Sequence, residues 1–86
     1  MQNIELLINI CKKYIRGLIE LDEFQKQIEA IILPDGCKNT LEVSQHNACN
    51  KLEQIQYCYL PENQRQHANT VAEELIYAAR NYLNKK

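Results

Sequence analysis

The sequence has few residues that break helices or build tight turns. Its 86 residues include only two glycines and two prolines, with one phenylalanine and no tryptophan. Because a sheet of many strands needs frequent turns, this composition argues against a β-sheet protein and favours long helices. A chain of this length buries enough surface for one small core, so residues 1–86 are predicted to form a single helical domain.

A long apolar run and an excess of one charge are also missing. No apolar run approaches the about 20 residues of a membrane span, and the first residues, starting at Met1-Gln2-Asn3, show no secretion signal. Ten Lys and Arg against eleven Asp and Glu leave a net charge of -1. Proteins that bind nucleic acid through a general basic surface carry a clear cationic excess. We therefore expect a cytoplasmic protein that binds neither membranes nor nucleic acid directly.

Apolar residues recur every three or four positions in four segments, the period of amphipathic helices. In the first segment the apolar side is followed by Gly17, the residue type that ends many helices. No segment alternates with the period of a strand. The pattern predicts an all-α four-helix bundle, with helices at about 3–16, 22–33, 41–59 and 70–84.

Two of these predicted helix starts depend on capping boxes, in which a side chain at the start and one three residues later cap each other's backbone N–H groups. Asp22–Gln25 has this spacing, and so has Thr70–Glu73. Pro61 is predicted to end the third helix, because the residue before a proline disfavours helical geometry. Residues 62–69 remain open between a loop and the first turn of the last helix.

Few residues suggest catalysis or metal binding. The chain has two histidines, one serine and no glycine-rich phosphate loop, so an activated nucleophile beside a base is hard to assemble. His46 and Cys49, three apart on the third helix, have the spacing of half a zinc site, but no CxxC pair supplies the other half. Four cysteines in a chain without a signal are typical of reduced, buried thiols. We expect no enzyme activity, no cofactor and no metal.

The predicted outward side of the third helix carries His46, Asn50, Glu53 and Tyr57. Tyrosine is enriched at protein interfaces because it offers a large contact area at low entropy cost. Of the other tyrosines, Tyr14, Tyr59 and Tyr82 are predicted in the core and Tyr77 outside it. Seventeen of the 86 residues are Asn or Gln, which suits a surface that recognises a partner by hydrogen bonds and equally fits the compositional bias of an AT-rich genome.

Acidic residues suggest the kind of partner. The segment 20–29 is strongly acidic, but acids in a first helical turn also stabilise the helix dipole. The other acids near the third helix are Asp35, Glu42, Glu53 and Glu62. They lie on its outer side or at its ends, where they can form a dispersed surface for a basic partner.

The order of several segments resembles a known family. The chain has Arg16-Gly17-Leu18-Ile19, then Glu20-Leu21-Asp22-Glu23-Phe24, then Tyr59-Leu60-Pro61-Glu62-Asn63-Gln64-Arg65, then a last helix from Ala72-Glu73-Glu74-Leu75 through Arg80 to Leu83. This order, at this length, is similar to the small all-helical bacterial immunity proteins of the colicin D type, whose relatives occur with contact-dependent growth-inhibition toxins.

The resemblance implies a four-helix bundle that binds its cognate toxin, in that family a tRNA-cleaving ribonuclease. It also implies inhibition by carboxylates placed in the toxin's basic active site. Carried onto this chain, the partner-binding residues are Glu53 and Glu62 first, Tyr57 as an aromatic anchor, then Glu42 and Asp35. Two other hypotheses stay open: a bacteriocin immunity protein near a membrane target, which the short tail 84–86 weakly suggests, and a generic helical adaptor or regulatory protein.

Overall fold

The computed structural model describes residues 2–33 and 40–84. Within these residues the chain forms four α-helices and no strand. The helices are α1 Gln2–Ile15, α2 Leu21–Ala30, α3 Leu41–Cys58 and α4 Pro61–Asn84. The prediction of a small all-α domain with four helices is confirmed.

Each helix packs mainly against two others: α1 against α2 and α4, and α3 against α2 and α4. Two contacts fix the directions of the helices. Arg65 near the start of α4 donates a hydrogen bond to the carbonyl of Tyr14 near the end of α1. Gln56 near the end of α3 donates to the side chain of Gln25 in the first half of α2. Neighbouring helices therefore run antiparallel, and the α1–α2 and α3–α4 connections lie at the same end of the bundle.

The core is built from the apolar sides of all four helices. Phe24 of α2 is fully buried and stacks almost parallel on the ring of Tyr14, with 4.6 Å between ring centroids. The other large side chains that are fully buried come from three helices; they are Ile4, Leu7, Cys11, Ile28, Leu41 and Leu52. The predicted core position of Tyr14 is confirmed.

One polar side chain is buried with these residues. The amide of Gln45 in α3 donates to the carbonyl of Ile28 at 2.7 Å and to that of Ile31 at 2.9 Å. Carbonyls at the end of a helix lack partners within the helix. The carbonyl of Ile28 also accepts from the N–H of Ile31 at 3.2 Å, so Gln45 adds a second bond there and gives a partner to the carbonyl of Ile31, which follows α2. The backbone is already extended at Ile31, and α2 ends at Ala30, three residues before the predicted end.

The last helix begins earlier than predicted. α4 starts at Pro61, so residues 62–69 are helical and the capping box at Thr70 is wrong. Proline suits the first helical position because the N–H it lacks has no partner there. Thr70 lies inside the helix, and its hydroxyl donates back to the carbonyl of Gln66 at 3.3 Å.

The capping box predicted at Asp22 is also wrong, although α2 begins within one residue of its predicted start. α2 begins at Leu21, and Glu20 occupies the N-cap position without a capping hydrogen bond from its side chain. Asp22 lies in the first turn of the helix instead of capping it. A negative charge there still interacts favourably with the helix dipole.

Gly17 ends α1 as the sequence predicts. Its φ of 80° lies in the left-handed region, and the N–H groups of Gly17 and Leu18 donate to the carbonyls of Tyr14 and Lys13 at 2.9 Å each. This pair of bonds is the Schellman arrangement of helix ends. A Cβ added at Gly17 would lie 2.9 Å from Nη2 of Arg65, whose guanidinium sits 5.5 Å from the centre of the Tyr14 ring.

Replacing Gly17 by alanine is expected to lower the free energy of unfolding by about 1–2 kcal/mol, because an L-residue is strained at positive φ. Urea denaturation followed by circular dichroism measures the change. The close contact with Arg65 is a second cause of destabilisation. The same substitution in an Arg65→Ala background separates the two, because the part of the loss due to this contact disappears and the part due to φ remains. An unchanged stability in both backgrounds would contradict the left-handed conformation.

Candidate partner-binding surface

One side of α3 presents polar side chains along almost the whole helix. The residues Glu42, His46, Asn50, Glu53 and Tyr57, here called the α3 stripe, follow one another at intervals of four, four, three and four. Residues at these intervals lie on one side of a helix, and at 1.5 Å per residue the stripe is about 22 Å long. Glu42 is half-buried and the other four side chains are exposed. The predicted outward side of the third helix is thus confirmed and extended to Glu42.

Tyr57 is the most exposed large side chain among the described apolar and aromatic residues, at 84%. It lies in the last turn of α3, two residues before the connection to α4. Leaving a tyrosine ring in water gains nothing for the stability of the bundle. A rigid ring in this position suits contact with another molecule.

Tyr59 does not lie in the core as predicted. It is 42% exposed, and its ring stacks on His67 with 4.1 Å between centroids. The reason is the early start of α4: Tyr59 follows the last residue of α3 and packs against the first turns of the next helix instead of facing inward. Tyr82 is half-buried against the core, and Tyr77 is exposed, as predicted.

The acidic residues proposed from the sequence are only partly brought together. Glu42 and Glu53 belong to the α3 stripe, whereas Glu62 lies in the first turn of α4, across the two-residue connection from Tyr57. Glu53 and Glu62 are both exposed. Asp35 lies outside the described residues.

The structure adds Glu29 to this surface. A groove of about 470 Å³ separates the end of α2 from α3, and Glu29, Glu42 and His46 are among the side chains that line it. The carboxylate of Glu29 is close enough to Cys49 to raise the pKa of that thiol further, after the larger effect of burial. The helix dipole accounts for Asp22 and Glu23 in the first turn of α2 but not for Glu29, and nothing in the sequence indicates which acid of segment 20–29 faces α3.

Two of the three described cysteines, Cys11 and Cys49, have the properties of packing residues. Cys11, Cys49 and Cys58 form no disulfide. Burial raises the pKa of Cys11 to about 12 and that of Cys49 to about 11, so both are protonated and weakly nucleophilic at neutral pH. Cys58 is exposed. Residues 2–33 and 40–84 contain no group of three His, Cys, Asp or Glu side chains placed to hold a metal ion.

The charges are distributed unevenly around the bundle. Lys12 and Lys13 lie in the last turn of α1, and Arg16 directly follows this helix. α1 packs on α2 and α4 but has no extensive contact with α3. The α3 stripe therefore lies across the bundle from the most basic helix. In the described part of the chain, the ion pair between Lys51 and Glu74, at 3.3 Å on the side of α3 that faces α4, involves no carboxylate of the stripe.

No ion pair in residues 2–33 and 40–84 engages Glu42 or Glu53. When a carboxylate without a cationic partner binds a Lys or Arg of another molecule, no ion pair within the bundle has to break. The arrangement can therefore bind a cationic surface through these two side chains while the fold stays unchanged.

None of the helices formed by the described residues is both long enough and apolar enough to cross a membrane. A comparison of the chain with family models, curated proteins and solved structures gave no match.

Proposed function

We propose that this protein is an immunity protein: it binds a cognate bacterial toxin and neutralises it, acting by binding and not by catalysis. The observation that supports the proposal is the α3 stripe, where Glu42 and Glu53 have no ion-pair partner among the described residues and Tyr57 is almost fully exposed. The resemblance to immunity proteins of the colicin D type supplies the class of partner, a nuclease domain that cleaves tRNA in the cytoplasm.

The chemistry of such a toxin explains why carboxylates would inhibit it. A ribonuclease must hold phosphates, so its active site is lined by cationic side chains. Carboxylates fixed on a helix occupy the same positions as phosphates and pay little entropy, because the helix is already ordered. Opposite charges on the two surfaces also increase the rate of association.

The residues of the surface have different roles in this proposal. Glu53 and Glu62 contact the cationic residues of the toxin, and Tyr57, which lies between them in the sequence, supplies apolar contact area. His46 and Asn50 offer hydrogen bonds from the middle of the stripe. Glu42 extends the acidic surface toward the start of α3.

The proposal predicts that the gene directly upstream encodes a large toxin with a nuclease tail, and a housekeeping gene there would contradict it. Co-expression with the toxin domain identified in this way tests the proposal. We expect the protein to restore growth of cells that express the toxin, and the purified pair to form a complex in which tRNA cleavage stops. The control is the same toxin with a protein that carries Leu52→Asp, a charge in the fully buried core that should prevent folding. Continued tRNA cleavage in the presence of an excess of the folded protein would contradict the proposal.

A further inference from the structure

The groove between the end of α2 and α3 combines carboxylates from two helices with an apolar wall. Glu29 lines it from α2 and Glu42 lines it from α3. Ile31, Leu33 and Cys49 line the same groove and are buried. Its volume of about 470 Å³ lies in the range of small-ligand sites, about 300–1,000 Å³. A single cavity therefore offers two acids and an apolar surface to one occupant.

The charged side chains that line this groove have one sign. Among the described residues no Lys or Arg lines it, and no ion pair engages Glu29 or Glu42. Lys26, the base of α2 nearest to Glu29 in the sequence, is exposed and does not belong to the lining. His46 also lines the groove; with histidine neutral at pH 7, as in the formal net charge, the lining carries two negative charges. The complementary occupant is a cation with an apolar part.

Hydrogen bonds from amide side chains hold Glu29 beside α3. Gln25 donates to the carboxylate of Glu29 at 3.1 Å, and Gln56 of α3 donates to the side-chain oxygen of Gln25. Gln64 of α4 donates to the carbonyl of Gln56 at 3.3 Å. These bonds connect three helices and end at the groove. A carboxylate that is ordered before binding loses little conformational entropy when a ligand arrives.

We infer that the groove binds one arginine side chain of a protein partner. The inference deepens the proposed function and rests on it for the identity of that partner, the toxin. The aliphatic stem of the arginine packs on the apolar wall, and its guanidinium binds Glu29 and Glu42. Arginine is favoured over lysine because its planar group carries five N–H donors and bonds acceptors on more than one side. Glu29 thereby becomes a specificity-determining residue, although it lies outside the α3 stripe.

Small probes test the groove without the toxin. N-acetyl-arginine amide is titrated into the ¹⁵N-labelled protein at neutral pH, and we expect resonance shifts concentrated on residues 29–33 and 42–50. The Glu29→Gln/Glu42→Gln variant should lose these shifts. N-acetyl-citrulline amide, which has nearly the same shape without the charge, should cause none, and N-acetyl-lysine amide should bind more weakly than the arginine probe.

Three results of the titration would overturn the inference. The first is a set of shifts outside these segments, and the second is equal binding of the arginine probe and either of the other two. The third concerns Lys38, in the segment 34–39 outside the described residues. If Lys38→Gln increases the affinity for the arginine probe, the groove is assigned to this chain's own lysine.

Binding of the toxin domain tests the same groove in the complex. We expect Glu29→Gln with Glu42→Gln to lower the affinity about 10-fold or more, because a cation of the partner loses its charged acceptors. Glu5→Gln with Glu73→Gln is the matched control: it changes the net charge equally, both residues are exposed, and neither lines the groove. The control variant should lose much less affinity. Equal affinities of the two variants would overturn the inference and leave the proposed function intact, whereas a toxin that does not bind even the unchanged protein would refute the proposed function.

Discussion

Replacing Phe24 by alanine is expected to lower the free energy of unfolding by about 3–5 kcal/mol. The ring is fully buried and stacks on Tyr14 with 4.6 Å between centroids, so the substitution removes both the buried apolar area and the stacking. A domain of this size has a total stability of roughly 4–13 kcal/mol. A loss of this size is a large part of the free energy of unfolding. If the total stability lies near the lower end of this range, the Phe24→Ala protein is expected to be unfolded at 37 °C.

Urea and thermal denaturation measure this loss, and two further variants calibrate it. Phe24→Leu keeps an apolar side chain of similar volume in the core, and its cost should stay below about 1.5 kcal/mol. Tyr57→Ala removes an aromatic ring of similar size that is 84% exposed, and its effect should stay within about 0.5 kcal/mol. A Phe24→Ala protein as stable as the Tyr57→Ala protein would contradict the position of Phe24 in the core.

The features that the sequence predicted correctly depend on local periodicity. The apolar spacing around Tyr14 and Phe24 placed both in the core, and Gly17 marked the end of α1, because each signal lies within one or two helical turns. The outward position of Glu53 and Tyr57 follows from the same period. All of these features need only the helix geometry of a single segment.

The start of α4 could not be predicted in this way. Residues 62–69 contain the core residue Ala68 and many polar side chains, so no apolar stripe distinguishes a helix from a loop. Contacts with other helices supply the missing stabilisation, among them the bond from Arg65 to the carbonyl of Tyr14. The capping signal at Thr70 was weaker than these contacts, since a local preference of about 1 kcal/mol is easily overcome by packing.

The candidate site was predictable only where it lies on one helix. Which side of α2 faces α3 depends on how the four helices assemble. Glu29 lies on that side and therefore lines the groove with Glu42. No spacing rule within a segment reveals that pair.

Reversing the charge of two carboxylates, Glu53→Lys with Glu62→Lys, is expected to weaken toxin binding about 100-fold or more while the bundle stays folded. Each substitution places a cation against the cationic active site of the toxin, where the native carboxylate is attracted. Both residues are exposed, and the main cost to the bundle is the lost dipole interaction of Glu62, about 0.3–1 kcal/mol.

A matched control separates this local effect from total charge. Glu5→Lys with Glu73→Lys changes the net charge by the same amount, and both residues are exposed on helices outside the α3 stripe. Calorimetry should show a large loss of affinity for the Glu53→Lys/Glu62→Lys variant at both low and high salt. The Glu5→Lys/Glu73→Lys control should lose only the part of the affinity due to long-range attraction, which salt screens. If the two double variants lose affinity equally, the toxin responds to net charge alone; if Glu53→Lys/Glu62→Lys binds unchanged, these carboxylates do not contact the toxin.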